Sequence, residues 1–336
     1  AGTLVGRTSG LLGGTPEAHR SAWRDAEWQR LSPQLPAMSP AQKTELATRI
    51  LQAMGLNGPV PELLVLIGHG SQSANNPQAA GLDCGACCGQ SGEVNARLLA
   101  SLLNDAEVRA ELRARGHELP AHCQVLAGVH NTSTDEVRIF GQQHLPTALQ
   151  PAWQRLRQAL DQAAVRVRQE RADALGLAAA REQPGKLLDL LRRRARDWAQ
   201  TRPEWGLAGN AAFIAAPRAR TRDVDLQGRA FLHDYDWRQD SEGSVLELIM
   251  TAPMVVAHWI NLQYFTSTTD NLRFGSGNKL LHNVVGGHIG VFEGNGGDLR
   301  IGLARQSLHD GQQWVHRPLR LHVVIEAPQA MIDRVI

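Results

Sequence analysis

The sequence lacks any apolar run long enough to cross a membrane. A spanning helix needs ~20 predominantly apolar residues in succession, and the best stretch, Met254 to Ile260, falls far short. It also lacks an excess of either charge: 35 basic residues stand against 33 acidic ones, for a formal net charge of +2. That balance argues against a nucleic-acid footprint, which gathers basic residues on one face. The N-terminus does not run from charged to apolar to small residues, so no signal peptide is expected. The chain opens on Ala1 within a glycine-rich stretch, as a processed or truncated chain would. Cysteine is scarce. Of Cys84, Cys87, Cys88 and Cys123, three lie within five residues, a poor disulfide framework for 336 residues. Without an export signal, a reducing compartment is expected, where thiols serve metal or redox chemistry.

What is present suffices for a folded protein of roughly two ~150-residue domains. The apolar share is 43% and the charged share 20%, which permits a sizeable core. Residues 1–40 read as irregular, with Trp23 and Trp28 on a short helical stretch. Pro40 suits the first turn of a helix, Ser39 could cap it, Leu46, Ile50 and Leu51 recur at helical spacing, and Gly55 ends it. The run Leu63-Leu64-Val65-Leu66-Ile67, between Pro61 and Gly68, reads as a parallel strand buried on both faces. A long loop to Gly92 follows, then a helix from Glu93 to about Asn104 and a second buried strand at Val125 to Val129. Strand, loop, helix, strand is the order of an α/β layer with function at the strand ends.

Residues 151–200 read as helical. Trp153, Leu156, Leu160, Ala164 and Val167 form one stripe, and Leu187, Leu188, Leu191, Ala195 and Trp198 another. The basic run Arg192, Arg193, Arg194 and Arg196 reads as a solvated helix face, with an anionic-surface contact as the minor alternative. Beyond Asn210, short strands and many of the 32 glycines dominate. Ala211 to Ala216 and Leu319 to Ile325 read as strands, and Gly286 to Asp298 is a glycine tract. No internal repeat emerges.

His69 follows the first apolar run directly, in Gly68-His69-Gly70-Ser71. A residue past the carboxyl end of a parallel strand faces the crevice where α/β proteins bind ligands. The flanking glycines permit a sharp turn and a close approach. Fourteen residues separate His69 from Cys84, in Leu82-Asp83-Cys84-Gly85-Ala86-Cys87-Cys88-Gly89. Imidazole and thiolate are both good zinc ligands, so His69 and Cys84 are the candidate metal pair. Singly, each reads as structural: a hydrogen-bonded histidine and a small buried hydrophobe. Cys84-Gly85-Ala86-Cys87 is also a C-x-x-C that could be redox-active, but no thioredoxin-like context surrounds it. Cys88 and Cys123 read as buried and inert. In His130-Asn131-Thr132-Ser133-Thr134-Asp135-Glu136, Thr134 or Asp135 could cap a helix and Asn131 could make a turn. Equally, His130 or Asp135 could orient a metal ligand, and Asp83 is a further candidate for that role.

These residues carry a resemblance. Ile67 through Pro77, Gly81 through Gly89, His130 through Glu136, Arg202-Pro203-Glu204-Trp205-Gly206-Leu207-Ala208-Gly209-Asn210, Thr251 through Val256, Trp259 through Tyr264 and Gly294 through Arg300 resemble the DabA family along nearly the whole chain. The resemblance implies an α/β fold with a β-carbonic-anhydrase-like parallel-sheet core, a helical region and a Gly-rich α+β C-terminal part. Residues 1–150 would be the C-terminal half of the zinc domain, 151–200 the helical segment, and 201–336 a region packed on the core. It further implies a zinc-binding subunit (Zn2+) of an energy-coupled CO2 or bicarbonate uptake system. That subunit would sit peripherally on the cytoplasmic face of the inner membrane with a DabB-like ion-translocating partner. The family's zinc is held by Cys, Asp, His and Cys, and the last two carry over to His69 and Cys84. The first two belong to an upstream Cys-x-Asp-x-Arg motif, and no cysteine here is followed by Asp two residues on. The expectation is half of a metal site, with CO2 hydration in the intact complex and not by this chain alone. A separate N-terminal half could supply the missing motif. The alternatives are a thiol redox protein using Cys84 and Cys87, or a non-catalytic interaction module or remnant of a split protein.

Overall fold

The apolar runs and helical stripes organise into three small sheets and the helices that cover them, in a computed structural model. It describes residues 33–56, 60–74, 76, 90–117, 119–197, 199–276 and 302–336, and by backbone alone 282–285, 290–293 and 298–300. In chain order, the first half holds α1 (Pro40–Ala53), β1 (Leu63–Gly70), α2 (Glu93–Asn104), α3 (Ala106–Ala114), β2 (Gln124–Asn131) and β3 (Glu136–Phe140). Two long helices follow, α4 (Gln150–Ala172) and α5 (Pro184–Arg196). The remainder holds β4 (Ala212–Ala216), β5 (Ala230–Asp234), α6 (Ser244–Thr251), α7 (Pro253–Thr269), α8 (Asn271–Phe274), β6 (His282–Val285), β7 (Gly290–Glu293), β8 (Asp298–Arg300), β9 (His322–Ile325) and α9 (Gln329–Asp333). Residues Pro40–Ile336 form one compact unit and Ala1–Ser39 another.

The first sheet runs β1-β2-β3, with β1 parallel to β2 and β3 antiparallel. Crossing from β1 to a parallel β2 needs a long connection, and α2 and α3 provide it. Asn104 then locks the return: its side-chain amide donates to the Val125 carbonyl at 2.7 Å, while Val125 N–H donates back to Asn104 Oδ1 at 3.1 Å. Asp105 caps α3 by accepting from Glu107 and Val108 N–H, satisfying two donors that a helix start leaves open. One expectation fails here. Leu63 to Ile67 is not buried on both faces: among the described residues β1 is the edge of its sheet, only Leu66 is buried, and Ile67 is 45% exposed.

The second sheet runs β5-β4-β9, all parallel. Its core gathers Phe213, Ala215, Tyr235, Leu246, Ile249, Ala257 and Met331. The third, β6-β7-β8, is antiparallel and takes in part of the glycine tract. The stripe on α5 buries Leu187, Leu191 and Ala195 against Ala172, Leu175 and Ala180. On α4 the predicted stripe turns out of register at its far end. Trp153 and Leu160 pack on the first sheet, whereas Val167 faces solvent and Arg168 is buried instead. The fold is therefore mixed α/β with small parallel sheets.

His316 is fully buried and stacks on Tyr264 with ring centroids 5.2 Å apart. Its Nδ1 accepts the Gly209 N–H at 2.9 Å. Burial, assisted by the Arg229 charge, lowers its pKa from 6.5 to about 4. The folded chain thus refuses a proton that the unfolded chain accepts below about 6.5, so stability declines as pH falls from there toward 4. Urea unfolding at pH 7 and pH 4.5 should show this loss. His316→Asn, which keeps the acceptor, should lower stability at pH 7 yet reduce the loss between the two pH values.

Candidate functional site

His69 sits one residue from the end of β1 and is exposed. Its register partner across the parallel pair is His130 on β2. Paired residues of neighbouring strands leave the pleat on the same face, so the two imidazoles share one side of the sheet edge. Backbone geometry then folds the chain back over this point. Gly92 N–H donates to the His69 carbonyl at 2.8 Å. A Cβ on Gly68 would lie 2.5 Å from the Gly92 oxygen, and one on Gly92 would lie 2.9 Å from Gly68 Cα. Both positions therefore require glycine. The chain that leaves the strand after His69 returns, twenty-odd residues later, to touch the backbone beside it.

The departing end is pinned too. Thr132 N–H donates to the Gly70 carbonyl at 2.8 Å, Gln72 N–H to Ser133 Oγ at 3.1 Å, and Ala74 N–H to the Ala195 carbonyl at 2.8 Å. Asp83, Cys84, Cys87 and Cys88, which lie between these anchors in sequence, are outside the described residues. The structure therefore places His69, His130 and Asp135, and says nothing of the other candidates. Cys123 is buried, and burial raises its thiol pKa, partly offset by Arg109.

Asp135 is the most constrained residue of the cluster. It is 3% exposed and adopts a φ of 55°, a left-handed conformation uncommon for anything but glycine, asparagine or aspartate. Its Oδ1 lies 3.1 Å from His130 Nε2, and its Oδ2 accepts from Arg171 at 2.5 Å. Both carboxylate oxygens are engaged, so Asp135 is built to orient its neighbours. Arg171, from α4, also donates to the Thr132 carbonyl at 3.1 Å and stands 3.9 Å from Glu204. Glu204 is buried and accepts from the equally buried Arg202 at 2.6 Å. Alternating charges thus run from Asp135 through Arg171 and Glu204 to Arg202, with the His130 ring at the Asp135 end. Next to this line, Arg192 reaches Glu136 at 2.5 Å. Burial raises the Glu136 carboxyl, but the Arg192 hydrogen bond and charge outweigh it and hold the pKa below the usual carboxylate value.

One reading of the sequence is corrected by these contacts. Arg192 and Arg194 do not belong to a solvated basic face: Arg192 pairs with Glu136, and Arg194 donates to the Leu175 and Pro203 carbonyls. Helix α4 also does more than cover the sheet, since it delivers Arg171 into the strand-end cluster. A basic residue in a helix gives no local signal of a buried partner 36 positions away, so Arg171 could not be found from spacing.

Among the described residues, no group of three or more His, Cys, Asp or Glu could hold a metal ion. His69 is thus one exposed donor at a strand end and does not form a complete site with its described neighbours. Removing Arg171 would leave the Asp135 carboxylate buried without its cation, which typically costs about 3–5 kcal/mol. Arg171→Ala should therefore lower stability on that scale in denaturant unfolding, with Arg171→Lys recovering part of the loss.

The chain matches the family model for probable inorganic carbon transporter subunit DabA over residues 1–336. It is 72% identical to a probable inorganic carbon transporter subunit DabA of Ectopseudomonas mendocina, over 100% of this chain and 41% of that protein. It is 61% identical to one of Paracidovorax citrulli, over 98% of this chain and 39% of that protein. It is 53% identical to one of Acidithiobacillus ferrooxidans, over 99% and 42%. The chain therefore spans about two fifths of the length of these curated relatives. No solved structure matches it. On the family match and these identities, the chain belongs to the family of probable inorganic carbon transporter subunits DabA.

Proposed function

We propose that this chain is the part of an inorganic carbon uptake subunit that contributes His69 and Cys84 to a zinc site, within a β-carbonic-anhydrase-like core. The relatives are named as inorganic carbon transporter subunits, which supports a role in CO2 or bicarbonate uptake. The observation that carries the zinc reading is the closed strand end. His69 is presented, exposed, where the chain bearing Cys84 departs and returns under backbone contacts that admit only glycine.

Zinc, when bound, would lower the pKa of a coordinated water from 15.7 toward ~7 and make hydroxide available for attack on CO2. The chain's own residues would hold and orient. His69 offers an imidazole nitrogen, and Asp135, fixed by Arg171, holds the ring of His130 beside it. The sequence has no Cys-x-Asp-x-Arg, so two further ligands would come from elsewhere in the complete subunit. Hydration would be made directional by a DabB-like membrane ion-translocating partner at the cytoplasmic face of the inner membrane.

In a subunit of the family's full length, His69→Ala and Cys84→Ala should each reduce retained zinc, measured by metal analysis after gel filtration, from about one per chain to a small fraction. Unchanged zinc in a folded variant would remove that residue from the ligand set.

A further inference from the structure

Helix α7, Pro253 to Thr269, contains no Lys, Arg, Asp or Glu. Two of its polar side chains, Asn261 and Ser267, point inward and are fastened there, while His258 and Thr269 are exposed. Asn261, 1% exposed, donates to the Asn210 and Leu319 carbonyls at 2.7 and 3.0 Å. Ser267, fully buried, donates to the Phe274 carbonyl at 3.3 Å and accepts the Leu303 N–H at 2.9 Å. Tyr264 and Ile260 complete the buried side with Leu303 and Leu308. Turning the helix would break these buried hydrogen bonds, at ~1–3 kcal/mol for each group left unsatisfied, so its orientation is fixed.

The outward face is largely apolar, with the exposed His258 among its large side chains. Val255, Trp259 and Leu262, at i, i+4 and i+7, are 51%, 40% and 38% exposed, and that spacing puts them on one stripe. Leu272 and Phe274 on the adjoining α8 are 75% and 53% exposed. With large side chains contributing ~150–250 Å² each when fully buried, these five offer roughly 500 Å². An exposed apolar area of that size is often functional.

We propose that this face is where the rest of the family's polypeptide packs. About three fifths of each relative lies outside the matched region, since the match covers 41%, 39% and 42% of their lengths. A second copy of this chain fits less well, because stable association of free partners buries ~800 Å² on each side. A covalently linked segment needs less, its effective concentration being in the millimolar range. A lipid surface fits less well again. The sequence reads as having no apolar run long enough to cross a membrane, yet by length and composition Ser244–Thr269 could. But Ala252 breaks it into α6 and α7 with φ −123° and ψ −82°, and α7 alone rises about 25 Å at 1.5 Å per residue, against a ~30 Å hydrocarbon layer. Nor does α7 carry the lysines or arginines that seat an interfacial helix among headgroups.

The test uses a subunit of the family's full length carrying this segment, with Val255→p-benzoylphenylalanine and irradiation in dilute, lipid-free solution. Cross-links to residues of the same polypeptide outside this segment are expected. In the unsubstituted subunit, hydroxyl-radical oxidation of Trp259 should run at least ~5-fold slower than its 40% exposure allows. Cross-links to a second, isotope-labelled copy, cross-links confined to this segment, protection gained only on adding phosphatidylglycerol vesicles, or full oxidation of Trp259 would each overturn the proposal. Because none of these readouts depends on zinc, failure of the metal reading would leave this result unaffected.

Discussion

At the end of β1 the backbones of Gly68 and Gly92 lie so close that neither position admits a Cβ. The rest of the strand-end architecture depends on that contact. It seals the connection that carries Cys84, sets the point at which α2 begins, and holds the His69 carbonyl on the Gly92 N–H. The start of α2 then brings Glu93 to Arg97 and Arg138, at 3.3 and 2.8 Å, tying the helix to β3. An alanine at either glycine would have to push one backbone away from the other. The shift would pass directly to His69, the single described residue proposed as a ligand.

The second constraint is the carboxylate of Asp135. Holding a non-glycine residue at φ 55° in a buried position carries a conformational cost of ~1–3 kcal/mol. The surroundings offset that cost with Arg171 and His130 on its two oxygens. Because Arg171 comes from α4 and faces Glu204 beyond, the strand ends of the first sheet are electrically joined to the chain that leads into the second. Strain and burial concentrated beside a candidate ligand suit a site whose geometry has to be rigid.

Much of this was legible in the sequence, because the signals were local. The helix from Pro40, the strand before His69, the helix from Glu93 to Asn104 and the strands near 125, 212 and 322 follow from periodicity, Pro and Gly placement and apolar runs. The solvent exposure of β1 was not legible. Leu63 to Ile67 reads as the interior of a parallel sheet, yet the described residues put no strand on its outer edge. Composition reports the environment a strand was selected for, and this chain holds about two fifths of the length of its relatives. Arg171 and Arg192 were illegible for a different reason: each meets its partner across tens of residues, and charge pairing at that separation leaves no spacing to read. On α7, hydrogen bonds made by Asn261 and Ser267 help decide which side is buried.

The account comes down to a strand end that presents ligands without completing a site. Zinc titration of this chain by calorimetry, with CO2 hydration followed in the same samples, tests that most directly. The account predicts weak binding without hydration above the uncatalysed rate, because the Cys-x-Asp-x-Arg motif proposed to supply two further ligands is absent from the sequence. Tight one-to-one binding accompanied by hydration would contradict it.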